Sequence, residues 1–187
     1  MSDALWVFGY GSLLWDPGFE VAERRSARLD GWRRSFCMTS VHYRGSADHP
    51  GLVLALDAAR DAHCDGVALR TAPGHEADTL AYLRAREMIS SAYVEVTLPV
   101  AFHCQGGARA LTYVINRNHR QYTGDISLED QAQIIARAYG ERGPNDAYLY
   151  NTAAHLAALG LADPDLDWLV ARVRRLTGKA HEPKRRS

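Results

Sequence analysis

The sequence predicts an α+β protein, with strands and one embedded helix first and helices after them. Two observations lead there. Up to Ile115, apolar and β-branched residues fall in short runs or alternate, with glycine-rich turns between them. From Ser127 onward the apolar spacing becomes helical, and helix-start signals stand at Ser127, Pro144 and Asp163-Pro164. A chain of 187 residues, 47% apolar and with no formal net charge, can bury a sizeable core. We expect one domain over 1–178 and a polar, basic, disordered tail over 179–187.

The elements follow in order. Leu5 to Phe8 is apolar and reads as a buried strand. It runs into Gly9-Tyr10-Gly11-Ser12, then into the turn Trp15-Asp16-Pro17-Gly18. Phe19 to Cys37 mixes arginines with apolar residues and reads as a strand whose arginines are solvated or paired with carboxylates. The segment from Ser40 to Gly51 is polar, fit to line a pocket or to be a plain surface loop. Leu52–Leu56 and Gly66–Arg70 read as two short strands with a polar connection between them.

Between Gly74 and Met88 the period changes to that of a helix. Leu80, Leu83 and Glu87 share one face, and Arg84 and Arg86 point elsewhere. Tyr93–Val100 and Ala110–Ile115 are strands around a Gly106-Gly107 turn. Asn116 to Gly124 is a polar loop. Ser127 opens a helix to about Gly140 through a capping box, Pro144 opens one to Gly160, and Asp163-Pro164 opens one ending near Gly178.

Composition excludes several functions. Without a basic excess the chain does not suit nucleic acid. No apolar run is long enough to span a membrane, and the first residues lack a signal-peptide pattern. Three distant cysteines without a C-x-x-C pair suggest a reduced, cytoplasmic protein. Cys37 and Cys104, in apolar contexts, read as inert buried thiols. Eight histidines include no H-x-x-x-H pair, so no metal site is expected. Walker and G-x-S-x-G loops are absent.

Two features carry chemistry. Glycines flanking Tyr10 let backbone N–H groups approach a ligand, although a strand-ending turn explains them equally simply. Glu87 continues an apolar stripe with a carboxylate. Such a group is paired, protonated or set at a wet pocket, and burial would raise its pKa toward that of a useful base. A structural ion pair with an arginine accounts for the same pattern.

The chain resembles the ChaC-like γ-glutamylcyclotransferases through several pieces in matching order. These are Phe8-Gly9-Tyr10-Gly11-Ser12-Leu13 with Trp15-x-Pro17-Gly18-Phe19, Gly31-Trp32-x-Arg34-x-Phe36, and His42-x-Arg44-Gly45 with Pro50-Gly51. Tyr82-Leu83-x-x-Arg86-Glu87, Tyr122-x-Gly124, and Gly143-Pro144-Asn145 with Tyr148-Leu149 and Asn151 complete the set. The resemblance implies a mixed β-barrel with flanking helices and cleavage of glutathione to 5-oxoproline and cysteinylglycine. It places the catalytic base on Glu87 and substrate binding on Tyr10, Gly11, Ser12, Leu13 and Tyr122, and it calls for no cofactor. Many members carry lysine where Met88 stands, which bears on substrate preference. Other γ-glutamyl amino acids or amines as substrates, or a non-catalytic metabolite-binding module, are the alternatives.

Overall fold

Residues 4–179 are described in a computed structural model. Five strands close into a mixed barrel in the order β1-β3-β2-β4-β5, and β5 returns to both β1 and β3. They are β1 (Trp6–Gly9), β2 (Val21–Ser40), β3 (Gly51–Thr71), β4 (Tyr93–Phe102) and β5 (Gly107–Ile115). Neighbouring pairs are antiparallel except β1–β5 and β3–β5, which run parallel. The expected α+β barrel with flanking helices is therefore present.

β2 follows the strand expected over Phe19–Cys37 and continues to Ser40, whereas β3 is far longer than the sequence suggests. The polar connection expected after Leu56 does not exist, because β3 runs unbroken and Asp57, His63 and Asp65 all pair with β2. Backbone hydrogen bonds need no apolar side chain. Alternation reports which residues are buried, so it went silent where the two-stranded ribbon leaves the core. Three register shifts along the β2–β3 pair, one at Gly31 with φ +80°, bend this ribbon.

Helix α1 (Glu76–Glu87) crosses from β3 to β4. Helices α2 (Leu128–Arg137), α3 (Asn145–Ala158) and α4 (Pro164–Thr177) pack on one another, and α2 and α3 also lie on β3. The starts expected at Ser127 and Asp163 hold. The Ser127 hydroxyl accepts from Asp130 N at 3.1 Å, and Asp163 Oδ1 accepts from Leu166 N at 3.1 Å. Helix α2 stops three residues before Gly140. Tyr139–Gly140 (β6) pairs instead with Gly143–Pro144 (β7) in a short hairpin that delivers the chain into α3.

The cysteine expectation holds for Cys37, which is buried, and fails for Cys104, which is exposed. β4 ends at Phe102, so Cys104 belongs to the turn and not to the strand. Burial pushes the Cys37 thiol up to about 12 and that of Cys64 up to about 11, so neither is a ready nucleophile. Of the expected tail only Lys179 is described, and its Nζ pairs with Asp146 at 2.5 Å; 180–187 lie outside the described residues. Among the described residues no helix is long and apolar enough to cross a membrane.

Candidate active site

Two segments remote in sequence meet at the site: the loop leaving β1 and the C-terminal end of α1. β1 is buried, and the chain turns sharply after it into a single 3-10 turn, Ser12–Leu14, where Leu14 N donates to Gly11 O at 2.9 Å. The first N–H groups of such a turn have no carbonyl to bond within it. Tyr10, Leu13 and Leu14 anchor the loop in the core. A Cβ at Gly11 would lie 3.1 Å from the Tyr148 hydroxyl, so the absent side chain lets loop and tyrosine touch.

Glu87 is the last residue of α1, and its side chain is only 17% exposed. Arg86 Nε lies 3.1 Å from Glu87 Oε1. The same guanidinium donates to Ser12 Oγ at 2.9 Å and to Asp16 O at 2.7 Å. Arg86 thus staples the helix end to the glycine loop, where the sequence suggested that it points away. Helical spacing fixes where a side chain starts, and a long arginine can fold back across the helix end. Arg84 does leave the site, for a two-pronged pair with Glu95 on β4.

The environment pushes the Glu87 carboxyl up, chiefly by burial, against the opposing pull of Arg86 and Arg142. Both sequence-level readings of Glu87 therefore hold together: it is ion-paired, and its proton affinity is still raised. Four tyrosines, Tyr10, Tyr93, Tyr113 and Tyr148, lie within electrostatic reach of its charge. Burial raises all of them, Tyr148 to about 12, so they stand as neutral hydroxyls. Tyr10 Oη donates to Tyr113 O at 2.8 Å and Tyr93 Oη to Leu54 O at 2.9 Å.

The structure brings together Tyr10, Gly11, Ser12, Leu13 and Glu87. Tyr122 stands in a separate cluster with Cys37, Met38 and Ala55. Its hydroxyl donates to the fully buried Asp57 at 3.2 Å, and Arg117 lies over its ring.

Sequence reasoning missed Arg34. Its side chain, 4% exposed, donates from Nε to Tyr10 O at 2.7 Å and from Nη1 to Asp163 at 2.5 Å, and also bonds Asp65 O. One guanidinium thereby ties the glycine loop to the cap of α4. The only sequence trace was its place in Gly31-Trp32-x-Arg34-x-Phe36. A cavity of about 200 Å³ opens beside it, lined among others by Phe36, Leu54, Gln131 and Leu166; Glu87 and the glycine loop do not line it. Among the described residues no cluster of three metal-ligating side chains occurs.

A mixed barrel whose first strand ends in this glycine turn has the γ-glutamylcyclotransferase fold. A yeast crystal structure, described as a γ-glutamyl cyclotransferase specific to glutathione, matches it with a TM-score of 0.84 at 21% identity, covering 96% of this chain and 99% of that one. More closely, the chain belongs to the ChaC-like family, whose model matches residues 5–176. An Escherichia coli K12 relative, a glutathione-specific γ-glutamylcyclotransferase, is 33% identical over 92% of this chain and 74% of its own length. An Arabidopsis thaliana relative, γ-glutamylcyclotransferase 2-3, is 34% identical over 96% and 93%.

Proposed function

We propose that this chain is a γ-glutamylcyclotransferase that degrades glutathione, with Glu87 as its general base and acid. The observation that carries the reading is the mostly buried Glu87 carboxylate, raised in proton affinity and held by Arg86 against the glycine loop. The names of the relatives supply the substrate class.

The chemistry suits these residues. A γ-glutamyl compound contains its own nucleophile, the α-amine. That amine attacks the γ-amide carbonyl, a new C–N bond closes a five-membered lactam, and the old γ-amide C–N bond breaks. 5-Oxoproline forms and cysteinylglycine leaves as an amine. The atoms balance without water or an electron acceptor.

Two barriers oppose the reaction: the amine is protonated at neutral pH, and the chain seldom folds back on itself. Glu87 takes a proton from the ammonium and returns one to the leaving nitrogen. The loop after Tyr10 holds the α-carboxylate through backbone N–H groups, with Ser12 beside them. Holding amine and carbonyl in attack geometry exploits effective molarities of roughly 10⁵–10⁸ M. Any loop N–H aimed at the carbonyl oxygen also stabilises the charge that develops there. Ser12 acts as a positioning hydroxyl and not as a covalent nucleophile, since the substrate supplies one. Three free cysteines support a reducing, cytoplasmic setting.

The test is incubation with glutathione, following 5-oxoproline and cysteinylglycine by mass spectrometry. Equimolar products are expected from the natural chain and none from Glu87→Gln, with Ser12→Ala less impaired than Glu87→Gln. Near-normal turnover by Glu87→Gln would remove Glu87 from the chemistry. Saturable binding of glutathione without product would favour a binding module.

A further inference from the structure

The polar segment after β2 and the β6–β7 hairpin set two arginines side by side. Glu141 N donates to His42 O at 2.8 Å and Arg142 N to Tyr43 O at 3.0 Å. The packing is backbone on backbone: a Cβ at Gly140 would lie 2.5 Å from Tyr43 C and 2.6 Å from Arg44 N. Arg44 Nη1 donates to Arg142 O at 2.7 Å. Its guanidinium lies 5.5 Å from the centre of the Tyr148 ring, the tyrosine whose hydroxyl abuts Gly11. Arg142 stacks on Tyr43 at 4.3 Å.

These two cations are unlike the other arginines around the site. Arg34, Arg84 and Arg86 each pair with a carboxylate. Arg44 and Arg142 have no such partner among the described residues, and their bonds are to carbonyls and aromatic faces. Arg44 is partly buried and feels the repulsion of Arg142, and Arg142 in turn bears on Glu87. Two adjacent like charges with no carboxylate in ion-pair contact among the described residues, at the edge of a candidate substrate site, are an arrangement that an anion would complete. The Nε and Nη2 donors of Arg44 have no protein partner among the described residues, and they form the guanidinium edge that takes a carboxylate in two parallel bonds.

We propose that Arg44 and Arg142 bind the carboxylate at the far end of the leaving half, so that the site selects γ-glutamyl peptides with a free C-terminal carboxylate over γ-glutamylamines. The proposal rests on the cyclotransferase reading. It divides the substrate's two carboxylates by place: the glycine loop takes the one beside the attacking amine, and the arginine pair takes the one beyond the scissile bond. A cysteinylglycine unit extends about 7 Å, which sets the substrate's two carboxylates well apart.

The experiment compares glutathione with its glycyl carboxamide, which keeps the same scissile bond and loses only the distal charge. The natural chain and Arg142→Gln are assayed with both. The natural chain should show a KM about tenfold higher for the carboxamide, a loss expected for one charge-assisted contact. Arg142→Gln should raise the KM for glutathione by about the same factor and so erase the preference for glutathione over the carboxamide, a ratio that any effect of Arg142 on Glu87 leaves untouched because it falls on both compounds alike. Arg142→Lys, which keeps the charge without the fork, should fall between. Equal KM values for the two compounds in the natural chain would overturn the proposal. So would an Arg142→Gln loss equal on both compounds, which would assign the pair to the other carboxylate or to structure. No turnover of either compound by the natural chain would instead refute the cyclotransferase reading itself.

Discussion

Replacing Arg34 by leucine should destabilise the protein strongly while leaving its surface almost unaltered. The side chain is 4% exposed, and its partner Asp163 is 17% exposed. Removing one member of a buried ion pair typically costs about 3–5 kcal/mol, because the surviving charge stays desolvated. The cavity beside Arg34 can admit water to Asp163, so the lower end of that range, about 3 kcal/mol, is expected. For a chain of this size 1 kcal/mol corresponds to roughly 2–4 °C, which puts the fall in Tm at about 9 °C. Calorimetry and urea unfolding both read it. A double variant separates charge from packing. Arg34→Leu combined with Asp163→Asn removes both charges yet keeps a capping side chain at the start of α4, so part of the loss should return. A fall of less than about 1 kcal/mol would show the pair to be worth no more than an exposed one and would refute the reasoning. Kinetics give a second check, because Tyr10 O loses its only side-chain donor among the described residues and the glycine loop loses one of its anchors. KM for glutathione should rise in Arg34→Leu even where the protein remains folded.

Two further outcomes follow from other buried groups. Asn145 is fully buried and clasps the backbone of Leu52 with both halves of its amide, accepting from N and donating to O at 2.7 Å each. Asn145→Ala leaves both groups unpaired and should cost about 2–4 kcal/mol in urea unfolding; Asn145→Asp should not rescue it, since a carboxylate cannot donate to Leu52 O. Glu87 gives a stability effect whose sign depends on pH. Its folded proton affinity is raised, so its contribution to stability is full in acid, below the unfolded value, and is lost as pH rises through the folded value. Glu87→Gln should therefore raise Tm at neutral pH and leave it unchanged in acid, while the acid limb of the natural chain's pH–rate profile is shifted upward from that of a free glutamate. A variant less stable than the natural chain at neutral pH would mean that the pair with Arg86 outweighs burial.

The type of each element was legible wherever side-chain spacing reports burial. β1, α1, β4 and β5 lie where the period places them, and Ser127 and Asp163 cap their helices because a cap is a local hydrogen bond. Glu87 was legible for the same reason: a carboxylate on an apolar helical stripe is an anomaly visible over the eight residues from Leu80 to Glu87. What tertiary structure alone decided is of longer range. The continuity of β3 rests on backbone pairing with β2, which leaves no mark on side-chain alternation. Arg34 reaches Tyr10 across 24 positions and Asp163 across 129, and Arg86 reaches Ser12 across 74. Tyr122 donates its hydroxyl to Asp57 across 65 positions. A side chain's sequence neighbours constrain where it begins; only closure of the barrel determines what it meets at its far end.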